Sequence, residues 1–144
     1  MNRTQEPAAH DHQPLILIVE DDLASRILLR EVLTRWGYRC RLAEDGIQAL
    51  EQLDAAHRDQ DPVRLVVLDI QLPRLDGYGV LSSIRSNPRT QPLPVIAISA
   101  FATEEEQVKA NAATFDGFIP KPVDMPRLRQ EMTWLLERAA QPST

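Results

Sequence analysis

Four stretches of this chain each carry a chemically capable side chain to the end of an apolar run. Val66 to Gly79 reads VVLDIQLPRLDGYG, and its strand-like part ends on Asp69. A carboxylate there loses hydration and gains nothing from burial unless something neutralises it or it does chemistry. LILIV, Leu15 to Val19, runs into Glu20-Asp21-Asp22; LPVIAIS ends in Ser99-Ala100; DGFIP ends in Lys121-Pro122. If these ends share one rim, the acids repel one another, and a divalent cation relieves that repulsion. All-oxygen ligands with retained waters select Mg²⁺ or Mn²⁺ over zinc. Lys121 adds a fixed positive charge and Ser99 a hydroxyl that can donate. A metal, an ammonium, a hydroxyl and backbone N–H groups around one carboxylate suit a dianionic, three-oxygen group, namely phosphoryl. Asp69 is then the nucleophile of an in-line transfer that yields an acyl phosphate.

The elements between these residues explain how they could converge. LILIV is a continuous apolar run of strand length, as in a central strand covered on both faces, and Leu65 to Asp69 reads as a buried strand that ends on its carboxylate. LASRILLREVLTRW has helical spacing, with Leu28, Leu29, Val32, Leu33 and Trp36 on one face, and Gly37 stops it. YRCRLA is a second strand. DGIQALEQLDAAH is a second helix stacking Ile47, Leu50 and Leu53. A third helix runs from about Asp76 through Val80, Leu81 and Ile84. ATEEEQVKANAAT is a fourth helix with an acidic first turn, favourable at the positive helix end. DGFIP is a short strand whose Pro120 cannot donate to a ladder, which predicts an edge. The last helix runs from about Val123 to Ala139, with Leu128, Met132, Leu135 and Ala139 on one face. Strands and helices that alternate in this way predict a doubly wound parallel sheet in a single α/β domain, over residues 14–139. Ligands in such sheets bind outside the carboxyl ends of the strands, where the four stretches end.

Composition sets the frame. The chain has 144 residues, with 43% hydrophobic and 26% charged content, which suits one soluble domain. A net charge of −5 announces no nucleic-acid-binding surface. The lone Cys40 excludes an internal disulfide and a cysteine-based zinc site. No apolar run reaches the roughly 20 residues that span a bilayer, and the N-terminus lacks a signal peptide's apolar centre. The expectation is a cytoplasmic protein with polar, flexible tails at residues 1–13 and 140–144. His10 and His12 fall in the first tail without a third ligand nearby in sequence.

The pieces ILIVEDD, LVVLDIQLPRLDG, PVIAISA and FIPKP, in this order and spacing, resemble the receiver domain of two-component response regulators over about residues 15–138. Asp69 to Ser99 is 30 residues and Ser99 to Lys121 is 22. The resemblance implies a flavodoxin-like (βα)5 fold with strand order 2-1-3-4-5. It implies that Asp69 is the phosphoacceptor and that Mg²⁺ is held by Asp21, by Glu20 through water, and by the backbone carbonyl of Gln71. Ser99 becomes the switch hydroxyl, Lys121 the partner of phosphoryl oxygens, and Phe118 the aromatic that reorients with Ser99. Pro122 follows a cis bond that aims Lys121 inward. Leu72 and Leu75 stand where methionine is common, Ser99 where threonine is frequent, and Phe118 lacks a tyrosine hydroxyl that some members use in output.

The expected role is a stand-alone response regulator, since no further domain follows the last helix. It takes phosphoryl from a histidine kinase or a histidine phosphotransfer protein and signals through a downstream protein target. The expected output face is the fourth helix, the fifth strand and the fifth helix. It is not otherwise an enzyme: its activity is confined to its own phosphorylation and slow hydrolysis of the product. It acts as a monomer or a phosphorylation-linked homodimer, with no nucleic-acid or membrane partner. A relay that passes phosphoryl onward is the alternative. An aspartyl-nucleophile phosphohydrolase wants a second acid two residues after the first, where Gln71 stands. An FMN site is disfavoured by Glu20-Asp21-Asp22 in the first loop, and GxxxxGK[ST] and GxGxxG are absent. Leu23 and Ile27, off the core face of the first helix beside Arg26 and Arg30, are candidates for docking a helical phosphodonor. Scattered exposed aliphatics are the plain alternative. Trp134 is a candidate partner or dimer contact, against the plain reading of an isolated, partly packed Trp. Phe101 is a candidate shield for the acyl phosphate. Asp22 reads as a helix N-cap, and Asp76-Gly77 as turn and cap chemistry.

Overall fold

The computed structural model describes residues 13–140. His10, His12 and the expected tails, apart from Gln13 and Ala140, lie outside the described residues. Five strands, β1 (Leu15–Val19), β2 (Arg39–Ala43), β3 (Leu65–Asp69), β4 (Val95–Ser99) and β5 (Gly117–Pro120), form one sheet. Their order is β2-β1-β3-β4-β5, and every pairing is parallel. The helices are α1 (Leu23–Arg35), α2 (Gly46–Arg58), α3 (Gly77–Ser86), α4 (Glu104–Ala112) and α5 (Met125–Ala140). This is the expected doubly wound α/β domain, with β5 at an edge.

Strand alternation sorts the core into layers. Leu15, Leu17, Val19, Val66, Leu68 and Val95 face α2 and α3, packing with Ala49, Leu53, Val80 and Ile84. Ile16, Ile18, Leu65, Val67, Ile96 and Ile98 face α1 and α5, packing with Leu29, Leu33, Leu128 and Met132. β1, β3 and β4 are buried on both faces, which is why they read as unbroken apolar runs. A third cluster joins Ile70, Ala97 and Phe118 to Ala110, the single buried residue of α4.

Three helix faces differ from expectation. Leu28 is 55% exposed and Ile47 is 37% exposed. Ala139 is exposed, while Leu136 joins the core. In each helix the buried stripe is set by which residues meet the sheet, and small Ala49 and Ala56 fill the inward face of α2. The neighbouring aliphatics sit at the stripe's margin. α5 also begins at Met125 rather than Val123, because Asp124 caps it by accepting from Arg127 N at 3.1 Å.

Candidate functional site

At the carboxyl end of β1 the chain turns immediately into α1. Asp22 accepts from Ser25 N at 2.9 Å and from Ser25 Oγ at 2.8 Å, so it caps the helix as expected. These hydrogen bonds hold its carboxyl below the usual range. Glu20 Oε2 accepts from Asp22 N at 3.1 Å, which keeps the Glu20 side chain pointing back across the rim. Arg26, read from sequence as standing beside the docking candidates Leu23 and Ile27, donates to Glu20 O at 2.8 Å. It braces the acidic turn.

The β3–α3 connection holds Asp69 by close backbone approach. Ile70 N continues the ladder to Ile98 O at 3.0 Å, and Gly77 N donates back to Ile70 O at 2.9 Å. A Cβ on Gly77 would stand 2.7 Å from Ile70 Cα and 3.0 Å from Asp69 O, so no side chain fits there. Asp76 caps α3 by accepting from Gly79 N at 3.0 Å. Arg74 takes a left-handed φ of 68° within the turn. On the far side, Lys121 N donates to Ser99 O at 2.8 Å, and the Lys121–Pro122 bond is cis, as expected.

These turns bring Glu20, Asp21, Asp69, Ser99 and Lys121 together beside the β1–β3 crevice, where the chain reverses its winding direction. Glu20 is 1% exposed, Asp69 2% and Ser99 0%, while Asp21 faces solvent. Lys121 Nζ lies 2.7 Å from Glu20 Oε1 and 2.7 Å from Asp69 Oδ2. Burial pulls the ammonium down, but the hydrogen bonds and charge of Asp69 and Glu20 outweigh it and raise Lys121 above the ordinary lysine range. It stays a cation at neutral pH.

One carboxylate oxygen each from Glu20, Asp21 and Asp69 falls within 4.8 Å of the others. Glu20 Oε1 is fully buried and has no well-aligned hydrogen bond, only the nearby ammonium. Three hard carboxylate oxygens in one group fit a hard divalent cation such as Mg²⁺ or Mn²⁺.

Gln71 shows a role that the sequence did not announce. Its N–H donates to Asp69 Oδ1 at 2.9 Å. Its side-chain Oε1 accepts from Ser99 Oγ and from Ala100 N, each at 3.3 Å. Phe118 is buried against Ile70, Ala97 and Ala110, two strands away from Asp69 with β4 between. Nearby, the Tyr78 hydroxyl on α3 donates to Glu106 Oε2 on α4, and Lys109 Nζ lies 4.5 Å from the Tyr78 ring centroid. Burial first, then the Glu106 hydrogen bond, pushes the Tyr78 phenol up. No periodicity marks these α3–α4 contacts, since they join residues 28 and 31 positions apart.

The candidate docking residues lie at the surface: Leu23 is 60% exposed and Ile27 40%. Trp134 is 56% exposed, with the Arg138 guanidinium 4.6 Å from its ring centroid. Phe101 is also exposed; its backbone, not its ring, engages Ser99. Cys40 is half-buried on β2. Among the described residues no helix is long and apolar enough to cross a membrane.

Fold and site together define a doubly wound α/β protein that holds a lysine-compensated carboxylate beside a buried hydroxyl, at the carboxyl rim of its sheet. Comparison with known proteins agrees. The family model "Response regulator receiver domain" matches residues 16–133, and the chain belongs to that family of two-component signalling domains. The sensor histidine kinase RcsC of Escherichia coli is 33% identical over 135 residues, covering 94% of this chain and 14% of RcsC. The response regulator MprA of Mycobacterium ulcerans is 37% identical over 123 residues, covering 85% of this chain and 50% of MprA. The chain therefore spans half or less of these two relatives. A chain of the CheX–CheY–BeF3–Mg²⁺ complex from Borrelia burgdorferi superposes with a TM-score of 0.75 at 27% identity, covering 85% of this chain and 88% of that one.

Proposed function

We propose that this receiver accepts a phosphoryl group on Asp69 from a histidine kinase or histidine phosphotransfer protein, and signals by phosphorylation-dependent contact with a protein target. The observation that carries this reading is Lys121 Nζ at 2.7 Å from both Asp69 Oδ2 and Glu20 Oε1, in a rim that also presents the buried Ser99 hydroxyl. The O–P bond at Asp69 forms as the donor's P–N bond breaks and imidazole leaves. Lys121 takes one phosphoryl oxygen, and Ser99 and the Ala100 N–H take another. Mg²⁺, or Mn²⁺, held by Glu20, Asp21, Asp69 and the Gln71 carbonyl, would neutralise charge on the remaining oxygens. In this reading Ser99 and Phe118 report the change to α4, β5 and α5.

Leu23 and Ile27 on α1 are the proposed contacts for the phosphodonor's helix, and Trp134 a proposed partner or homodimer contact. Catalysis is limited to the chain's own phosphorylation and slow hydrolysis of the acyl phosphate. A cytoplasmic, stand-alone regulator is the form proposed; a native product longer than this chain on an immunoblot would contradict the stand-alone part. The central test is phosphotransfer profiling against purified kinases and phosphotransfer proteins, with Asp69→Ala as control. A mass adduct at Asp69 that vanishes in the control supports the reading, and none from any donor or from acetyl phosphate overturns it. Onward transfer to a second histidine would instead identify a relay.

A further inference from the structure

Ser99 Oγ is fully buried, and a buried hydroxyl needs partners. It accepts from Phe101 N at 3.0 Å, and its one proton is shared between Phe101 O at 3.2 Å and Gln71 Oε1 at 3.3 Å. Ala100 N donates to the same Oε1 at 3.3 Å. A backbone N–H can only donate, so the carboxamide must turn its oxygen, not its NH₂, toward this pair. The Gln71 oxygen therefore sits on two donors that converge beside Asp69, one residue beyond the Asp69–Ile98 register. Its own backbone is tethered to the Asp69 carboxylate at 2.9 Å.

We propose that the Gln71 side chain is an internal placeholder for one phosphoryl oxygen. In the resting protein Oε1 occupies the Ser99 hydroxyl and the Ala100 N–H; an incoming phosphoryl group on Asp69 must expel it to reach them. This deepens the proposed function and rests on Asp69 being the phosphoacceptor. At 3.3 Å both bonds lie beyond the usual range, about 2.7–3.2 Å for N–H···O and about 2.5–3.0 Å for O–H···O, and both are neutral, hence weak. A phosphoryl oxygen would replace them with shorter, charge-assisted bonds. The exchange favours the phosphorylated state, yet the carboxamide must leave first. Gln71 is half-buried, so it can swing outward. Gln71 is thus a positioning residue that acts through Ser99 and Ala100. It partners the buried Ser99 hydroxyl and the exposed Ala100 N–H at rest and slows their capture.

Gln71→Met keeps the length and removes the strong acceptor. The test measures acetyl phosphate labelling by intact mass, and beryllofluoride affinity by ¹⁹F NMR, in Mg²⁺. The expected result is labelling about 2- to 10-fold faster and beryllofluoride binding tighter by a similar factor, the worth of roughly one neutral hydrogen bond. In a Ser99→Ala background the same substitution should change labelling by less than about twofold, since one of its two donors is gone. Gln71→Asn, too short to reach both donors, should mimic Gln71→Met and guards against misfolding of the first variant. Labelling by both variants at or below the wild-type rate, with the wild type modified at Asp69, overturns the placeholder. No modification of wild-type Asp69 at all would overturn the phosphoacceptor reading instead.

Discussion

Replacing Lys121 with methionine removes the charge that makes the acidic rim tolerable. Its ammonium stands 2.7 Å from carboxylates whose side chains are 1% and 3% exposed. At an effective dielectric constant of about 20, each such pair is worth about 6 kcal/mol before desolvation. Desolvation cancels much of that, and breaking a buried pair by removing one partner costs about 3–5 kcal/mol. The Lys121 side chain is 24% exposed, so water screens part of the effect, and the expected loss in chelator at pH 7 is about 2–3 kcal/mol. Excess Mg²⁺ should return a larger increment to the variant than to the wild type. The ammonium no longer competes for Glu20 and Asp69, and stabilisation by a bound ligand grows as its dissociation constant falls. Urea unfolding followed by circular dichroism, with EDTA and with Mg²⁺, measures both terms. A variant as stable as wild type in EDTA, or one destabilised equally in both buffers, would refute charge compensation by Lys121.

Four other outcomes follow from the geometry. Gly77→Ala should cost about 1–3 kcal/mol by overpacking against the Ile70 and Asp69 backbone, read in urea melts, and should slow acetyl phosphate labelling as Asp69 shifts. Tyr78 has its phenol raised above the ordinary 10.0 by burial and Glu106, so its contribution is complete below that pH and fades as the pH climbs through the higher folded value. Absorbance titration at alkaline pH should show a late phenolate phase that Tyr78→Phe abolishes; its persistence would contradict the assignment. Ile27→Glu should slow transfer from the kinase yet spare labelling by acetyl phosphate, and equal loss of both would remove the docking role. Phe101→Asn should alter the rate of self-dephosphorylation, and an unchanged rate would leave this exposed ring without a shielding role.

Strands were legible because burial on both faces leaves no polar position to blur the run. LILIV and the segment ending at Asp69 match β1 and β3 residue for residue. The site was legible for a related reason: a charged or hydroxyl residue directly after such a run must lie at the sheet's carboxyl rim. Helix faces were read less well. A stripe of apolar residues defines a face only to within about one residue's rotation, so Leu28, Ile47 and Ala139 at its margin looked like core. Interactions across loops were not legible. That Arg26 would hold the Glu20 carbonyl, or that the Gln71 carboxamide would reach Ser99 from 28 residues away, depends on side-chain direction in space.

α4 buries one residue, Ala110, of its nine, and is otherwise tied through the Tyr78–Glu106 contact and the Lys109 ammonium over the same ring. Little apolar area is given up when this helix slides or frays, so its position is set by a handful of polar attachments and not by the bulk of the core. Sequence drift on its outer surface can proceed without endangering the rest of the molecule. The proposed output face can therefore diverge here faster than the chemistry held by the strand ends.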